Sequence, residues 1–384
     1  MATPIQKPIR RPHAKTRTGC RVCKSRKVKV GRGITCDFAV SAGPAGSGSD
    51  ANGESNAGHT PISNHIPSPA ATSLNHPPPA DWFSALDLEL LHHFTTSTCF
   101  TFSTEPIIRN FWRINVPRMG FTYHYVLKGI LSLAALHLAR LKPQRRDLLI
   151  EQAMVHQNAS SSLALPVLND LSSENSVPIL FFSMLTTYIA FGSPKETSDL
   201  LVTSNGAMPQ WLLLFRGMRS VVEYNNEAIS SIMSLGFVFD SGRQMGDIWR
   251  NMIPPEHEGL KELEATIRFY VKDPQKLSDL TDAIYAMRRA FAFCHSSSIM
   301  DDQRVRGVFM WLFNVPDGFT ILLRERDNEA LTILAFFCVL LKRLDYNWWI
   351  EGWGVHLVGR IYAALDDGYR LWIQWPIEEV GWVP

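Results

Sequence analysis

Tyr123-His-Tyr-Val-Leu-Lys-Gly-Ile-Leu-Ser-Leu-Ala-Ala-Leu-His-Leu-Ala-Arg-Leu141 is the stretch from which the fold is read. Val126, Ile130, Leu133, Leu138 and Leu141 fall on one face at helical spacing, and Leu127, Leu131 and Ala134 widen that face. A helix apolar on nearly every side has no face left for water, so this one belongs at the centre of a helical domain. Basic Arg140 and Lys142, followed by Pro143, mark its end. His137, inside it, reads as a core histidine with its polar atoms satisfied.

The neighbouring text continues in the same period. Upstream, Ser84-Ala-Leu-Asp87 is a capping box with Asp in the place of the usual Glu. Residues 145–163 predict a second helix with Leu148, Leu149, Val155 and Ala159 inward. Ser176-Val-Pro178 opens an apolar helix through about Phe191, and further helices are expected at 209–235, 257–271, 276–295 and 328–344. Residues 346–382 are rich in aromatics, with Trp348, Trp349, Trp353, Trp372, Trp375 and Trp382. These tryptophans are expected mostly in the core, with Trp348, Trp349 or Trp353 as candidates for a pocket wall. No β-alternation, βαβ rhythm or fixed-period repeat occurs. The fold class is mainly α.

Charge divides the chain differently. It has 38 Lys and Arg against 36 Asp and Glu, a net charge of +2. Residues 1–36 hold eleven of the basic residues and none of the acidic ones, so a basic arm is attached to an acidic body. That imbalance predicts a polyanionic partner for the arm alone, and the arm also suits a nuclear import signal. Residues 37–80 are rich in Gly, Ser, Ala, Asn and Pro and carry no Lys or Arg, a composition that predicts a disordered linker. Without heptads there, dimerisation of the chain as a homodimer would fall to the body. The N-terminus has no apolar signal segment, and the run Ile333 to Leu341 is too short to span a membrane, so a soluble protein of a reducing compartment is expected. The expected domains are therefore 1–36, 37–80 and 81–384.

The arm carries the most specific motif, Thr18-Gly-Cys20-Arg-Val-Cys23-Lys-Ser-Arg26-Lys27-Val-Lys29. Two thiolates separated by two residues can clamp one metal ion from a single turn, and the basic run behind them can meet phosphates. This stretch resembles the opening of the fungal zinc binuclear cluster, a DNA-binding domain in which six cysteines hold two zinc ions. The resemblance assigns metal ligation to Cys20, Cys23 and Cys36 as the first, second and sixth ligands. It assigns DNA contact to Arg21, Lys24, Arg26, Lys27 and Lys29, with Lys27 in the base-reading position. Double-stranded DNA with CGG-type half-sites is the implied partner, and the nucleus is the implied location. The third cysteine is expected seven residues after Cys23, where Val30 stands, and the text passes directly to Gly31-Arg-Gly-Ile-Thr-Cys36-Asp37. Three thiolates cannot fill the eight ligand positions of two tetrahedral zinc ions. At most one zinc is expected, with His13 or water as a fourth ligand.

The body resembles the same family independently. Asp87 to Ser97, Phe111-Trp-Arg, His124 to His137 and Trp372 to Trp382 are similar to the regulatory domain of fungal regulators of the sterol uptake control type. That likeness implies an all-α effector and dimerisation body with an apolar pocket for sterol or another apolar ligand; no short motif assigns ligand contacts to particular residues. Two readings follow: a zinc-cluster transcription regulator of RNA polymerase II genes, or a regulator-derived ligand-binding or protein-interaction module that has lost autonomous DNA binding. An enzyme is not expected, since the nucleotide, zinc-protease and serine-hydrolase motifs are all absent. Adjacent side chains on a helix diverge by about 100°, so neither His92-His93 nor Cys294-His295 forms a natural metal or nucleophile pair. Asp301-Asp302 and Asp366-Asp367 read as helix-start or loop acids.

Overall fold

The computed structural model describes residues 84–172, 174–195, 212–218, 233–296 and 301–384, all within the compact unit His76–Pro384. Among these residues the elements are helical and no strand occurs. The N-terminal part consists of α1 (Ala85–Thr96), a 3₁₀ turn (Thr98–Thr101), α2 (Pro106–Asn110), a π turn (Phe111–Asn115), α3 (Val116–Thr122), α4 (His124–Leu141), α5 (Arg146–Leu168) and α6 (Ser176–Gly192). The C-terminal part consists of α7 (Met233–Asn251), α8 (Glu258–Tyr270), α9 (Pro274–His295), α10 (Asp301–Asn314), α11 (Asp317–Arg324), α12 (Asn328–Arg343), α13 (Trp353–Ala364), α14 (Asp367–Arg370) and α15 (Gln374–Val380). The predicted helix over 209–235 is described only at 212–218 and from Met233 onward; the rest lies outside the described residues.

Helix α4 is the centre the sequence predicts. Every residue from Tyr125 to Ala139 is buried, and α1, α3, α5 and α6 pack around it. Only Leu141, counted in the apolar stripe, ends up exposed at the last turn. The capping box forms as read: the Ser84 amide donates to Asp87 Oδ2 at 3.1 Å and the Asp87 amide to Ser84 Oγ at 3.2 Å. Helix α5 corrects the sequence reading. Leu148 and Val155 are 49% and 52% exposed, and the buried row is Leu149, Ala153, His156, Ser160 and Ala164. Small and polar residues face inward because α4 lies close and supplies partners. Ser160 Oγ donates to the Tyr125 carbonyl at 2.6 Å, and Ser132 Oγ on α4 donates to the Ala153 carbonyl at 2.8 Å. A buried hydroxyl with a carbonyl partner costs little, whereas a large aliphatic would not fit between the two backbones.

A second fully wrapped helix, α12, centres the C-terminal part, with every residue from Glu329 to Leu341 buried. Asp327 caps it by accepting from the Ala330 amide at 3.1 Å. Beneath the cap, Lys276 Nζ lies 2.5 Å from Asp327 Oδ2 and 3.0 Å from Glu329 Oε2, and Tyr369 Oη donates to Glu329 Oε1 at 2.9 Å. Burial pushes the Glu329 carboxyl up, but these hydrogen bonds outweigh it and hold the group below the ordinary glutamate range.

The two cores meet at the end of α6. Ile179 to Ile189 pack in the N-terminal core, while Phe191 belongs to the C-terminal one. Tyr188 stacks on Phe102 at 4.8 Å and meets the edge of Trp349 at 4.7 Å; Phe191 contacts Phe309, Trp349 and Trp353. The Trp353 indole N–H donates to the Phe191 carbonyl. The exposed Arg140–Glu351 ion pair also crosses between the two parts, but such pairs contribute only about 0–1 kcal/mol. Each buried aromatic contributes about 1.5–3 kcal/mol, so the aromatic seam holds the halves together.

Helices α12 and α13 approach closely through Gly354. A Cβ there would lie 2.5 Å from the Cys338 carbonyl oxygen and 2.9 Å from the Lys342 amide nitrogen, both backbone atoms. Gly354→Ala is therefore expected to lower stability by about 1–3 kcal/mol. Gly368→Ala, with nothing within 4 Å of the added carbon, is the control, expected to be neutral or slightly stabilising. Denaturant unfolding of the two variants checks this; equal midpoints would contradict the close approach.

Candidate functional site

The metal-ligating residues proposed from sequence, Cys20, Cys23 and Cys36, lie outside the described residues, as do Arg21, Lys24, Arg26, Lys27 and Lys29. The body's own cysteines are described, and they are placed as core thiols. Cys99 Sγ donates to the Thr95 carbonyl and Cys338 Sγ to the Leu334 carbonyl, each at 3.5 Å. Burial pushes the Cys99 thiol up to about 11 and raises Cys338 and Cys294 as well, so none of the three is a ready thiolate. Cys294 is half-buried near the end of α9, next to His295. His295 Nδ1 donates to the Phe291 carbonyl at 2.7 Å, and Arg343 occupies its Nε2 side. With both ring nitrogens engaged, His295 is not set up as a base for Cys294. Asp301 begins α10, and Asp366 precedes α14, its carboxylate accepting from Asn328 Nδ2 at 2.7 Å.

One group of polar contacts in the described body gathers around α4. His137 Nδ1 lies 3.0 Å from Thr98 Oγ1 and 3.1 Å from His93 Nε2. The Trp348 ring covers His137 at 4.9 Å, and its indole N–H donates to Thr101 Oγ1 at 3.0 Å. Helix α1, the 3₁₀ turn, α4 and the segment after α12 thus converge on one imidazole. The sequence reading of a satisfied core histidine holds, and the His93 partner gives that helix-face residue a structural role. His92, beside it, points outward into solvent. An unprotonated Nδ1 can accept from both the Thr98 hydroxyl and the His93 ring; protonation turns it into a donor and breaks that arrangement. Burial pushes His137 down to about 4, reinforced by the adjacent His93 and Arg140. Burial also lowers His93, against the pull of Glu89.

A second buried polar group was not legible in the sequence. His156 Nε2 of α5 lies 3.0 Å from Asp87 Oδ1, and Lys128 of α4 is buried beside this pair. Asp87 therefore serves the α1 cap and the α1–α5 contact together. The weak signal available was a lysine inside an otherwise apolar helix. Trp349 and Trp353 lie in the core and Trp348 on the seam. None of them lines the open cleft of about 520 Å³ formed by Met252, His257, Arg288, Phe291, His295 and their neighbours. Among the described residues no cluster of three or more His, Cys, Asp or Glu is arranged to hold a metal, and no helix is long and apolar enough to cross a membrane.

Comparison with known proteins shows what the chain is similar to. Residues 89–246 match the model of the fungal specific transcription factor domain. A Zn(2)-C6 fungal-type transcription factor of Gibberella zeae is 25% identical, over 96% of this chain and 86% of that protein. The Zn(2)-C6 fungal-type transcription factor afumD of Aspergillus fumigatus is 27% identical, over 56% of this chain and 57% of that protein. Residues 89–246 thus match a fungal specific transcription factor domain, and most of the chain is similar to a fungal zinc-cluster transcription factor. Its matched domain runs from α1 into α7, so the His93–Thr98–His137 group lies inside it, while Trp348, which covers that group, lies beyond its C-terminal limit.

This geometry makes the stability of this protein depend on pH. The His137 pKa is depressed in the folded state, so its contribution is complete above the unfolded value of about 6.5 and is lost as pH falls toward about 4. Lowering pH from about 7 to 5 is expected to cost about 2 kcal/mol at this one residue. His93 and His156 act in the same direction. Urea midpoints at the two pH values, for the parent and His137→Gln, provide the check; an unchanged pH slope in the variant would remove His137 from the explanation.

Proposed function

We propose that the chain is a nuclear transcription regulator in which residues 1–36 meet DNA, residues 37–80 tether them, and the helical body from residue 81 receives a signal or partner. The observation that carries this reading is the co-occurrence, in one chain, of the transcription factor domain at 89–246 with the basic Cys20-x2-Cys23 arm, supported by a named transcription factor aligned along 96% of the chain. In this reading Lys27 reads a base, Arg21, Lys24, Arg26 and Lys29 contact phosphate, and CGG-type half-sites are the targets implied by family resemblance. For the body, that resemblance implies a sterol or another apolar molecule as the class of signal.

A second reading is favoured by the thiol count. Cys20, Cys23 and Cys36 are three of the six ligands that a two-zinc cluster requires, and Cys99, Cys294 and Cys338 are held in the body as thiols with raised pKa. The residues present therefore do not suit two zinc ions. The alignment with the Gibberella zeae protein extends over 448 positions against a chain of 384 residues, so that relative carries residues for which this chain has no counterpart. On this reading the arm binds at most one zinc and attaches to DNA through charge, while the body acts as an interaction or ligand-binding module. Zinc content and DNA binding of the purified chain separate the two. The second reading expects no more than one zinc per chain and salt-sensitive binding that does not distinguish CGG-containing from scrambled duplex. Two zinc ions with a clear CGG preference would establish the first and overturn the second. Lipid extraction of the purified chain tests the apolar ligand, and a chain free of any sterol or other apolar molecule would count against it.

A further inference from the structure

A groove of about 430 Å³ runs between α1 and the helical segment 106–122, and its lining does not include His93, Thr98 or His137. Helix α1 contributes Leu88, Leu91, His92 and Thr95, which follow one another at i, i+3, i+4 and i+7. The opposite wall contributes Arg113, Ile114, Pro117, Arg118 and Phe121, again at helical spacing. Leu88 is 64% exposed and Phe121 59%, so the floor is apolar and open to water. Monomeric surfaces seldom leave grouped large apolar side chains exposed unless something binds them.

The local backbone contributes to this arrangement. Phe111–Asn115 forms a π turn, with the Val116 amide donating to the Phe111 carbonyl, immediately before Pro117. Proline removes an amide donor and crowds the carbonyl four residues earlier, here that of Arg113, and a widened turn relieves the crowding. The widened turn is also the segment that presents Arg113 and Ile114 to the groove. Such turns are frequent at functional sites.

Charge selects the occupant. No carboxylate lines the groove, and its charged residues are Arg113 and Arg118, with His92 on the α1 side. Arg109 stands one turn before Arg113 and lies over the Phe100 ring at 6.0 Å. None of these three arginines forms an ion pair among the described residues. Two acids of α1 are already engaged, Asp87 with His156 and Glu89 with Arg145. Two rows at helical spacing form a trough for a third helix, and the α1 row from Leu88 to Thr95 gives it a length of about 11 Å. A nucleic acid would use the arginines but not Leu88, Ile114 and Phe121. A membrane would require these residues on a protruding surface rather than in a trough.

We infer that this groove docks an amphipathic helix from a different protein, apolar on the face it inserts and carrying Asp or Glu along its flanks. Such a partner buries Leu88, Ile114 and Phe121 and pairs with Arg113 and Arg118, a helix-in-groove mode of recognition. The inference is independent of DNA binding by the arm.

The test uses the full chain and a fluorescent synthetic peptide of about 14 residues, with Leu and Phe at i, i+3, i+4 and i+7 and Glu on both flanks. A scrambled peptide of the same composition and a Lys-flanked version serve as controls. Saturable binding of the acidic peptide in the micromolar range is expected, at least about tenfold tighter than either control. The charge reversal R113E/R118E and, separately, L88D/F121D should each weaken it by about tenfold or more, while the circular dichroism of these exposed-site variants stays at the parental level. Equal binding of the scrambled peptide, or binding unchanged in both variants, overturns the inference. So does a concentration-dependent dimer in sedimentation that L88D/F121D abolishes, because the groove would then be held by a second copy. Binding to phosphatidylserine vesicles that the variants remove, without acidic-peptide binding, overturns it in favour of a lipid surface.

Discussion

Two helices with no dry-to-wet gradient across them, α4 and α12, set the terms for the rest of the body. A helix buried on every side places backbone, small residues and any polar group it carries among other protein atoms, where each polar atom needs a partner. The surrounding helices are arranged accordingly. Helix α5 buries Leu149 together with a row of alanine, serine and histidine, and leaves Leu148 and Val155 outside. Helix α9 brings Lys276 to the buried carboxylate of Glu329 at the start of α12. Many polar groups inside the body are thus paired where burial places a neighbour within reach, and the His93–Thr98–His137 and Asp87–His156 contacts belong to that class.

Burial also explains how much of the body could be read from the chain alone. The two central helices were legible because apolar residues without a break leave a single interpretation, and the Ser84–Asp87 cap because its two bonds are local. Helix α5 was misread in orientation. Leu148 and Val155 look inward on any hydrophobicity scale, yet the close approach of α4 favours Ala153, His156 and Ser160 at the contact. The helices α10, α11 and α13 were not assigned, because their apolar residues answer to neighbours distant in sequence. Gly354, for example, gains its meaning only from the Cys338 and Lys342 backbone.

The candidate sites divide along the same line. The Cys20–Lys29 motif is contiguous, so its chemistry and its shortfall in thiolates can be read directly from the sequence. His137 could be recognised as a core residue but not paired with His93, because their contact joins residues 44 positions apart. The α1–α3 groove had no sequence signal: Leu88 and Phe121 look like ordinary core residues until the fold leaves them outside. A core prediction based on hydrophobicity places such residues on the wrong side of the surface, and a description of the fold recovers them as a surface feature.

The end of α6 has a consequence for how the domain can be divided. The recognised family segment stops at residue 246, inside α7, but Phe191 and Tyr188 are enclosed by Phe309, Trp349 and Trp353, all beyond that limit. The segment that the family model matches is therefore shorter than the packed body to which its aromatic residues belong. Separated at residue 246, the N-terminal piece would expose the aromatic end of α6 to water, so the matched segment and the packed body of this protein do not share a boundary.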